Sequence, residues 1–269
     1  FAGMSMDRPL LMGVLNATPD SFSDGGAHAD SGSAVRHGLA LLEAGADLID
    51  VGGESARPGA QPVAPEEEIR RVEPVIRSLR ERGAVISVDT RHPQVMRAAL
   101  AAGARIVNDV SALTASGAIE AVSGAGASAI LVHMQGEPRT MQCDPHYGDV
   151  TLDVAEHLAA RLAVCAAAGL GPQRLALDPG IGFGKRGAHN SALLDDLAAL
   201  HGFGVPLVIG ASRKGWIGEL ETWPAAERLG GSIAAEMAAF DRGVQILRVH
   251  DVGQAHQARL AWQALNRAA

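Results

Sequence analysis

The sequence predicts an α/β fold, a (β/α)8 TIM barrel with long loops after its first and second strands. The chain contains eight apolar runs of strand length, a helical stretch follows each run, and almost every run ends in polar residues able to bind or catalyse. In a parallel barrel the strand ends share one mouth, where such barrels carry their active sites. A length of 269 residues suits a single domain over 1–269, with 1–6 interpreted as a tag remnant or a disordered end.

The eight runs bring different polar side chains to the predicted mouth. In chain order they are LLMGVLN with Asn16, ADLIDVGGES with Glu54 and Ser55, AVISVDT with Asp89, RIVNDVS with Asn108 and Asp109, SAILVHM with His133 and Met134, RLALDP with Asp178, PLVIGAS with Ser212, and QILRVHDV with Arg248 and His250. Nearly continuous apolar runs of this length are typical of parallel strands that are buried on both faces.

The predicted helices fill the gaps between these runs. Pro65 precedes three glutamates, and both proline and acidic side chains favour the first turn of a helix. Pro93 opens the next helix, which is predicted to stop at Gly103. Further helices are predicted over 33–44, 150–168, 191–200, 225–242 and 254–266. Three long connections, 17–30, 56–64 and 134–149, are interpreted as lids over the mouth, the alternative being flexible connectors.

Composition and charge exclude several classes of partner. Aromatic residues make up 3% of the chain, too few for a protein that stacks nucleic-acid bases. A net charge of −7 predicts no general attraction to nucleic acid or to an anionic membrane, and no apolar run has the length of a membrane span. Cys143 and Cys165 form neither a metal-ligand spacing nor a disulfide framework, so a cytoplasmic location is predicted.

Acceptor side chains at three strand ends form the first candidate site. Asp89, Asn108 and Asp178 follow separate strands, so they are predicted to meet at the mouth. A carboxylate accepts hydrogen bonds from an N–H and an NH₂ group together, which suits a heterocycle with an amidine edge, such as a pterin or a guanine. The alternative for a single aspartate is a helix cap or an ion pair. Polar residues at most of the eight strand ends favour a binding site.

Cationic side chains form the second candidate site. Ser212, Arg213 and Lys214 follow the seventh strand, and Arg248 and His250 end the eighth on the same face, because they are two residues apart. The last two strands of such barrels commonly bind phosphate, and Arg57 in the second loop adds a further cation. A solvated charged face is the alternative, but it fits poorly with two polar residues inside an apolar strand.

Two weaker signals complete the predicted site. The segment PGIGFGKRG, residues 179–187, contains a formal G-x-G-x-x-G motif, but its acidic residues come too early for a dinucleotide site. It is interpreted as a loop whose backbone can approach a flat ligand. Phe183 would either stack on that ligand or pack against the rim of the barrel. Asn16 offers one oxygen, which is enough for Mg²⁺ when substrate phosphates and water supply the other ligands.

Taken together, these segments resemble the dihydropteroate synthase family of the folate pathway. The resemblance rests on NATPDSFSDGG, DVGGES followed by RPG, SVDT, VNDVSAL, VHMQGEPRTMQ, LDPGIGFGK, GASRKGWIG and RVHDV, in this order between about Leu11 and Val252. It implies a transferase that condenses 6-hydroxymethyl-7,8-dihydropterin pyrophosphate with p-aminobenzoate, with Mg²⁺ as cofactor and sulfonamides as inhibitors. It also implies a homodimer, for which the helices predicted over 225–242 and 254–266 would supply the surface.

The resemblance also implies a role for individual residues. The pterin would be held by Asp89, Asn108, Asp178, Lys214, Met134, Phe183 and Gly210. The pyrophosphate would be held by Asn16, Arg57, Arg248 and His250, with Asn16 also binding Mg²⁺. The p-aminobenzoate site would be formed by Phe22, Pro58, Ser212 and Lys214. The catalytic residues would be Asp89, Lys214 and Arg57.

One position departs from the family pattern. The second loop usually reads E-S-T-R-P-G, and here Ala56 replaces the threonine, which puts p-aminobenzoate affinity and sulfonamide sensitivity in question. Two alternatives stay open. A pterin-binding methyltransferase domain shares the barrel and the pterin acids, but it needs no pyrophosphate site. A catalytically idle paralogue that binds a pterin and acts through a partner has only Ala56 in its favour.

Overall fold

The computed structural model describes residues 1–18, 27–55 and 59–266, with the backbone alone for residues 27–30. Its strands are β1 (Leu10–Asn16), β2 (Leu48–Gly52), β3 (Ile86–Asp89), β4 (Ile106–Asp109), β5 (Ser128–Val132), β6 (Leu175–Asp178), β7 (Val208–Ile209) and β8 (Ile246–Val249). All pairings are parallel, in the order β6-β5-β4-β3-β2-β1-β8-β7, and an isolated bridge between Leu177 and Leu207 joins the two ends. The predicted (β/α)8 barrel is therefore confirmed.

Helices connect consecutive strands. In the described part of the chain they are α1 (Ala27–Glu43), α2 (Pro65–Glu81), α3 (Pro93–Ala102), α4 (Ala118–Gly124), α5 (Val150–Ala167), α6 (Gly187–Asp195), α7 (Gly215–Leu220), α8 (Leu229–Asp241) and α9 (Val252–Asn266). The predicted helix starts at Pro65 and Pro93 are confirmed. The predicted stop at Gly103 is also confirmed, because this residue caps α3 with a left-handed φ of 112°.

The predicted helix boundaries are wrong on the C-terminal side of the barrel. The segment predicted as one helix over 191–200 is instead α6 followed by a 3-10 helix, Leu197–Phe203. Helix α6 starts at Gly187, where the backbone N–H of Arg186 donates to Nδ1 of His189. This cap does not use the residue types by which helix starts are usually recognised in a sequence. The helix predicted over 225–242 is a 3-10 turn, Ala225–Glu227, followed by α8.

Alternation along the strands determines which side chains face the inside of the barrel. Leu10 and Met12 of β1 belong to an apolar cluster inside the barrel, whereas Leu11 and Leu15 pack toward the surrounding helices. Because side chains alternate between the two faces of a strand, Asn16 shares the inward face with Leu10 and Met12. The same alternation carries Asp50, Asp89, Asn108, Asp178 and Arg248 onto the inward face of their strands. The barrel interior is therefore apolar below and polar toward the mouth.

The first six residues close the other end of the barrel. Phe1, Ala2, Met4 and Met6 pack against the apolar cluster inside the strands, so the structure describes them as ordered, and the tag remnant stays a prediction. The α-amino group of Phe1 donates to the carbonyl oxygen of Met4, 3.3 Å away. No helix among the described residues is long and apolar enough to cross a membrane.

Candidate active site

A cavity of about 730 Å³ opens at the mouth of the barrel, where the strands end. Its wall brings together seven predicted residues from five separate segments of the chain: Asn16, Asp89, Phe183, Ser212, Lys214, Arg248 and His250. Predicted acceptors and predicted cations thus share one cavity of a size suited to a small-molecule ligand. Asn108, Asp178, Met134 and Gly210 are not part of its wall, and they lie next to residues that are.

Arg248 is the centre of the acidic side of the site. Its Nε donates to Oδ2 of Asp50 at 2.6 Å, and its Nη2 donates to Oδ2 of Asp89 at 2.7 Å. Nδ2 of Asn108 also donates to Oδ2 of Asp50, at 3.0 Å. Oδ1 of Asp50 and Oδ1 of Asn108 are buried without a hydrogen-bond partner among the described residues. The cluster therefore retains unused acceptors, and buried acceptors of this kind call for an explanation such as a ligand.

Electrostatics at this cluster move two pKa values toward neutrality. Burial raises the pKa of Asp89 to about 7, with the attraction of Arg248 opposing the shift and the charge of Asp50 adding to it. Burial lowers the pKa of Lys214 to about 8, and the repulsion of Arg248 adds to that effect while Asp178 and Asp89 oppose it. Groups with pKa values this close to neutral pH are common among catalytic acids and bases.

Lys214 and Phe183 form a further part of the cavity wall. Nζ of Lys214 lies 3.8 Å from the centroid of the Phe183 ring, a cation–π contact. Asp178 is electrostatically coupled to Lys214 and accepts from the backbone N–H of Gly180 at 2.7 Å, although burial raises its pKa. A Cβ atom added at Gly210 would meet Arg248 at 3.8 Å and Asp178 at 4.0 Å, so Gly210 lies beside both charges. Met134 packs, together with Phe183, on the apolar cluster inside the barrel.

The remaining predicted residues lie where β1, β7 and β8 end. His250 receives support from Ser212, whose Oγ lies 3.2 Å from both the backbone nitrogen and Nδ1 of His250. Arg213 instead points to Asp251, with which it forms an ion pair. Asn16 is half-buried on the cavity wall, and its amide oxygen suits Mg²⁺, a hard cation that prefers oxygen ligands.

A second group of possible metal ligands lies beside the mouth. In the described part of the chain, Glu54, Glu68 and His92 bring three ligand atoms within 4.8 Å of one another. Nδ1 of His92 is 2.7 Å from Oε2 of Glu68, and Oε1 of Glu54 pairs with Arg91 at 3.2 Å. Oε2 of Glu54 accepts from the backbone N–H of Val63 at 2.9 Å. These contacts use both carboxylate oxygens of Glu54, Oε2 of Glu68 and Nδ1 of His92, whereas Oε1 of Glu68 is buried without a partner among the described residues.

Four positions of the sequence prediction lie outside the described residues. They are Phe22, Ala56, Arg57 and Pro58. Their predicted contributions to the p-aminobenzoate and pyrophosphate sites stay predictions. The described ends of their loops, Asn16 on one side and Glu54 and Ser55 on the other, do line the cavity.

Comparison with known proteins agrees with this geometry. Residues 12–250 match the family model described as pterin binding enzyme. The dihydropteroate synthase of Neisseria meningitidis serogroup B is 50% identical, over 97% of this chain and 94% of that protein. The chain belongs to the dihydropteroate synthase family. This confirms the family and the function that the motifs predicted, and it lends no support to the methyltransferase or to the idle paralogue.

Solved dihydropteroate synthases share the whole barrel with this synthase. The Yersinia pestis enzyme in a sulfonamide drug complex superimposes with a TM-score of 0.93 at 44% identity, over 99% of this chain and 97% of that one. The Xanthomonas albilineans enzyme with 4-aminobenzoic acid also gives a TM-score of 0.93, at 48% identity, over 98% of this chain and 95% of that one. The structural similarity therefore extends over almost the full length of each chain.

Two buried residues of this synthase were missed by the sequence prediction. Asp50 lies inside β2 and is 0% exposed, and alternation from the inward-facing Leu48 was the available signal for it. Lys185 was considered only within the glycine-rich motif. It is 1% exposed and lies at the edge of the cavity. A lysine beside three glycines reads as a solvated charge in the sequence, and only the packing of the loop reveals its burial.

Proposed function

We propose that this dihydropteroate synthase joins 6-hydroxymethyl-7,8-dihydropterin pyrophosphate to p-aminobenzoate at the mouth cavity, with Mg²⁺ as its cofactor. One observation carries the proposal. Hydrogen-bond acceptors and cations that suit the two ends of this substrate, a pterin ring and a pyrophosphate, converge on the same cavity. Asp89 represents the first set, and Arg248 and His250 represent the second.

The acidic side suits the pterin ring. Asp89, Asn108 and Asp178 offer acceptors to the N–H and NH₂ groups of the heterocycle. Oδ1 of Asn108 and Oδ1 of the neighbouring Asp50 are unpaired among the described residues. Phe183 and Met134 supply apolar surface, and Gly210 leaves room beside Arg248 and Asp178. Lys214, held over the Phe183 ring, carries the positive charge that complements the carbonyl oxygen of the pterin.

The cationic side suits the pyrophosphate. Arg248 and His250 end β8 at the cavity, and Arg57 is proposed to approach from the second loop. Asn16 would hold Mg²⁺, which when bound polarises the pyrophosphate and stabilises its developing negative charge. Arg248 uses Nε and Nη2 for Asp50 and Asp89, and a guanidinium has five N–H donors, so further donors are proposed to contact the pyrophosphate while both pairs are kept.

The residues then divide the reaction between them. The C–O bond between the pterin methylene and the pyrophosphate breaks, and the pyrophosphate leaves with the electron pair. Asp89 faces the resulting positive charge and stabilises it, which is the kind of electrostatic stabilisation that gives most enzymes their largest single rate effect. The amine of p-aminobenzoate forms the new C–N bond and afterwards loses one proton to solvent. No protein nucleophile is needed.

The second substrate is proposed to bind between the first two loops and the seventh strand. Ser212 and Lys214 lie on the cavity wall, and Phe22 and Pro58 are proposed to complete the site from the loops. Support comes from the 4-aminobenzoic acid complex of the Xanthomonas albilineans enzyme and from the sulfonamide complex of the Yersinia pestis enzyme. On this basis sulfonamides are expected to compete with p-aminobenzoate.

Calorimetry with pyrophosphate tests the metal part of the proposal. We expect Mg²⁺ to tighten pyrophosphate binding by at least about tenfold, equivalent to about 1.4 kcal/mol, because the cation links the anion to Asn16. Asn16→Ala should lose most of this gain, whereas Asn16→Asp, which keeps an oxygen ligand, should retain it. Equal affinity with and without Mg²⁺ in the wild type would remove the metal from the proposal.

A homodimer and a cytoplasmic location also stay predictions. Leu260 and Leu265 of α9 are 52% and 79% exposed, which fits the predicted dimer surface. Sedimentation equilibrium measures the oligomeric state directly, and a monomer at micromolar concentration would contradict the dimer.

A further inference from the structure

The glycine-rich loop 179–187 approaches its neighbours through bare backbone at two of its glycines. Gly180 and Gly184 have φ values of +73° and +61°, in the left-handed region. A Cβ atom at Gly180 would lie 1.8 Å from the carbonyl oxygen of His133, and one at Gly184 would lie 2.4 Å from that of Gln135. The loop is therefore packed backbone against backbone on the segment that follows β5. Its buried polar backbone atoms need hydrogen-bond partners, since unpaired buried groups are costly.

Lys185 supplies those partners at the start of the loop. Its Nζ donates to the carbonyl oxygens of Gly180 and Phe183, both at 3.0 Å, and lies 2.9 Å from Nδ1 of His133. Burial lowers the pKa of His133 to about 3, so its ring is neutral and Nδ1 can accept. Burial also lowers the pKa of Lys185 to about 7, with Asp178 opposing the shift. Acceptors on every side of Nζ favour the ammonium form, which has three protons to donate.

These contacts connect the buried ammonium to the site. The carbonyl group held by Lys185 belongs to Phe183, whose ring carries Lys214 on the cavity wall. The second carbonyl belongs to Gly180, whose N–H donates to Oδ1 of Asp178 at 2.7 Å. Lys185 itself has its donors directed at protein acceptors and is 1% exposed. Lys185 is thus linked through Phe183 to Lys214 on the cavity wall, and through Gly180 to Asp178, an acceptor of the proposed pterin site.

We infer that Lys185 is a positioning residue that holds the glycine-rich loop in the shape needed to bind the pterin substrate. The inference rests on the proposed function, because it concerns the pterin side of the same cavity. Two other side chains also support the loop: Tyr147 donates to the carbonyl oxygen of Gly184 at 2.8 Å, and Asn190 accepts from the N–H of Gly182 at 2.7 Å. Lys185 differs from them in holding Gly180 and Phe183, which contact Asp178 and Lys214, respectively.

Lys185→Met removes the ammonium and keeps a long apolar side chain. We expect the KM for the dihydropterin pyrophosphate to rise by about 10- to 100-fold, because small misplacements of binding groups have effects of this size. The KM for p-aminobenzoate should stay within about threefold of the wild-type value, a change no larger than the loss of one weak hydrogen bond would cause. If Lys185→Met does not fold, Lys185→Gln, which keeps two donors, should give the same split with a smaller change.

Arg161→Met is the matched control. Arg161 also holds backbone carbonyls, those of Ala112 and Leu113 at 2.8 and 3.0 Å, but outside the cavity wall. It should lower the melting temperature and leave both KM values unchanged. Equal changes in the pterin KM for Lys185→Met and Arg161→Met would overturn the inference, because they would report a general loss of stability.

A double-mutant cycle with Phe183→Ala tests whether Lys185 acts through the loop. Because one residue is proposed to position the other, the pterin KM of the double variant should be close to that of the worse single variant. Multiplied effects would mean that Lys185 acts independently of Phe183 and would contradict the inference. Failure of the proposed function would look different, because the wild-type protein would then form no dihydropteroate from the two substrates.

Discussion

Two clusters of aspartate and arginine lie along strand β2. At the lower end, Asp47 directly precedes the strand and accepts from Arg8, from Arg259 and from the backbone N–H of Leu11. In the upper cluster, nearer the mouth, Asp50 is the middle residue of the strand and shares Arg248 with Asp89. Two residues separate the two aspartates in the sequence, and similar residue types surround both.

The two clusters differ in how completely their polar atoms are satisfied. Although burial opposes the shift, hydrogen bonds from Arg8, Leu11 and Arg259 lower the pKa of Asp47. At the mouth, burial instead raises the pKa of Asp89, and Oδ1 of Asp50 has no hydrogen-bond partner among the described residues. The lower cluster thus stabilises the charged form of its carboxylate, whereas burial in the upper cluster destabilises the charged form of Asp89.

The difference indicates which cluster serves stability and which serves function. A fully hydrogen-bonded ion pair joins the chain end, the barrel floor and α9, since Arg259 also donates to the carbonyl oxygen of Pro9 at 3.1 Å. An ion pair whose polar atoms are not all hydrogen-bonded is typical of sites where those atoms bind a ligand. Asp47 and Asp89 therefore form a matched pair, in which the same substitution should have opposite effects.

Asp89→Asn should have the largest effect on activity. The amide cannot stabilise positive charge on the pterin methylene, so turnover should fall by about 10²- to 10³-fold. Stability should change by less than about 1 kcal/mol, because Arg248 keeps Asp50 and a buried charge is removed. Steady-state turnover and urea unfolding measure the two quantities. Near wild-type turnover would remove Asp89 from the mechanism.

Asp47→Asn should show the reverse pattern. It weakens charge-assisted hydrogen bonds from Arg8 and Arg259, so the free energy of unfolding should fall by about 1.5–3 kcal/mol. The kcat/KM values for both substrates should stay unchanged in the folded fraction. A loss of kcat/KM comparable to that of Asp89→Asn would show that the two clusters are not functionally distinct.

The pH dependence of kcat/KM should also distinguish the two clusters, with a smaller effect than the two substitutions. Asp89 with a pKa of about 7 must be ionised to act, so activity should fall tenfold per pH unit as the pH drops below that value. Lys185 with a pKa of about 7 and Lys214 with a pKa of about 8 must both be protonated, so activity should fall as the pH rises through these values. In Asp89→Asn the acidic limb should disappear from the residual activity, whereas in Asp47→Asn both limbs should remain. An unchanged acidic limb in Asp89→Asn would assign it to another group.

Much of the fold and of the site followed from local patterns. Pro65 and Pro93 start helices because a fixed φ and a missing N–H suit the first turn wherever it occurs. Asn16, Asp89 and His250 line the cavity because strand ends of a parallel barrel share one mouth. The start of α6 was missed because its cap, between Arg186 and His189, uses residue types that rarely cap helices.

The sequence by itself determined the barrel, the polar strand ends and, through its motifs, the family, because alternation and helix starts depend on neighbouring residues. Only the tertiary structure decided how the charges pair. Arg248 and Asp50 are 198 residues apart in the chain, and Lys185 and His133 are 52 apart. Their burial and their partners arise when the barrel closes, since pairing energy depends on distance and on exclusion of water, neither of which a local pattern encodes.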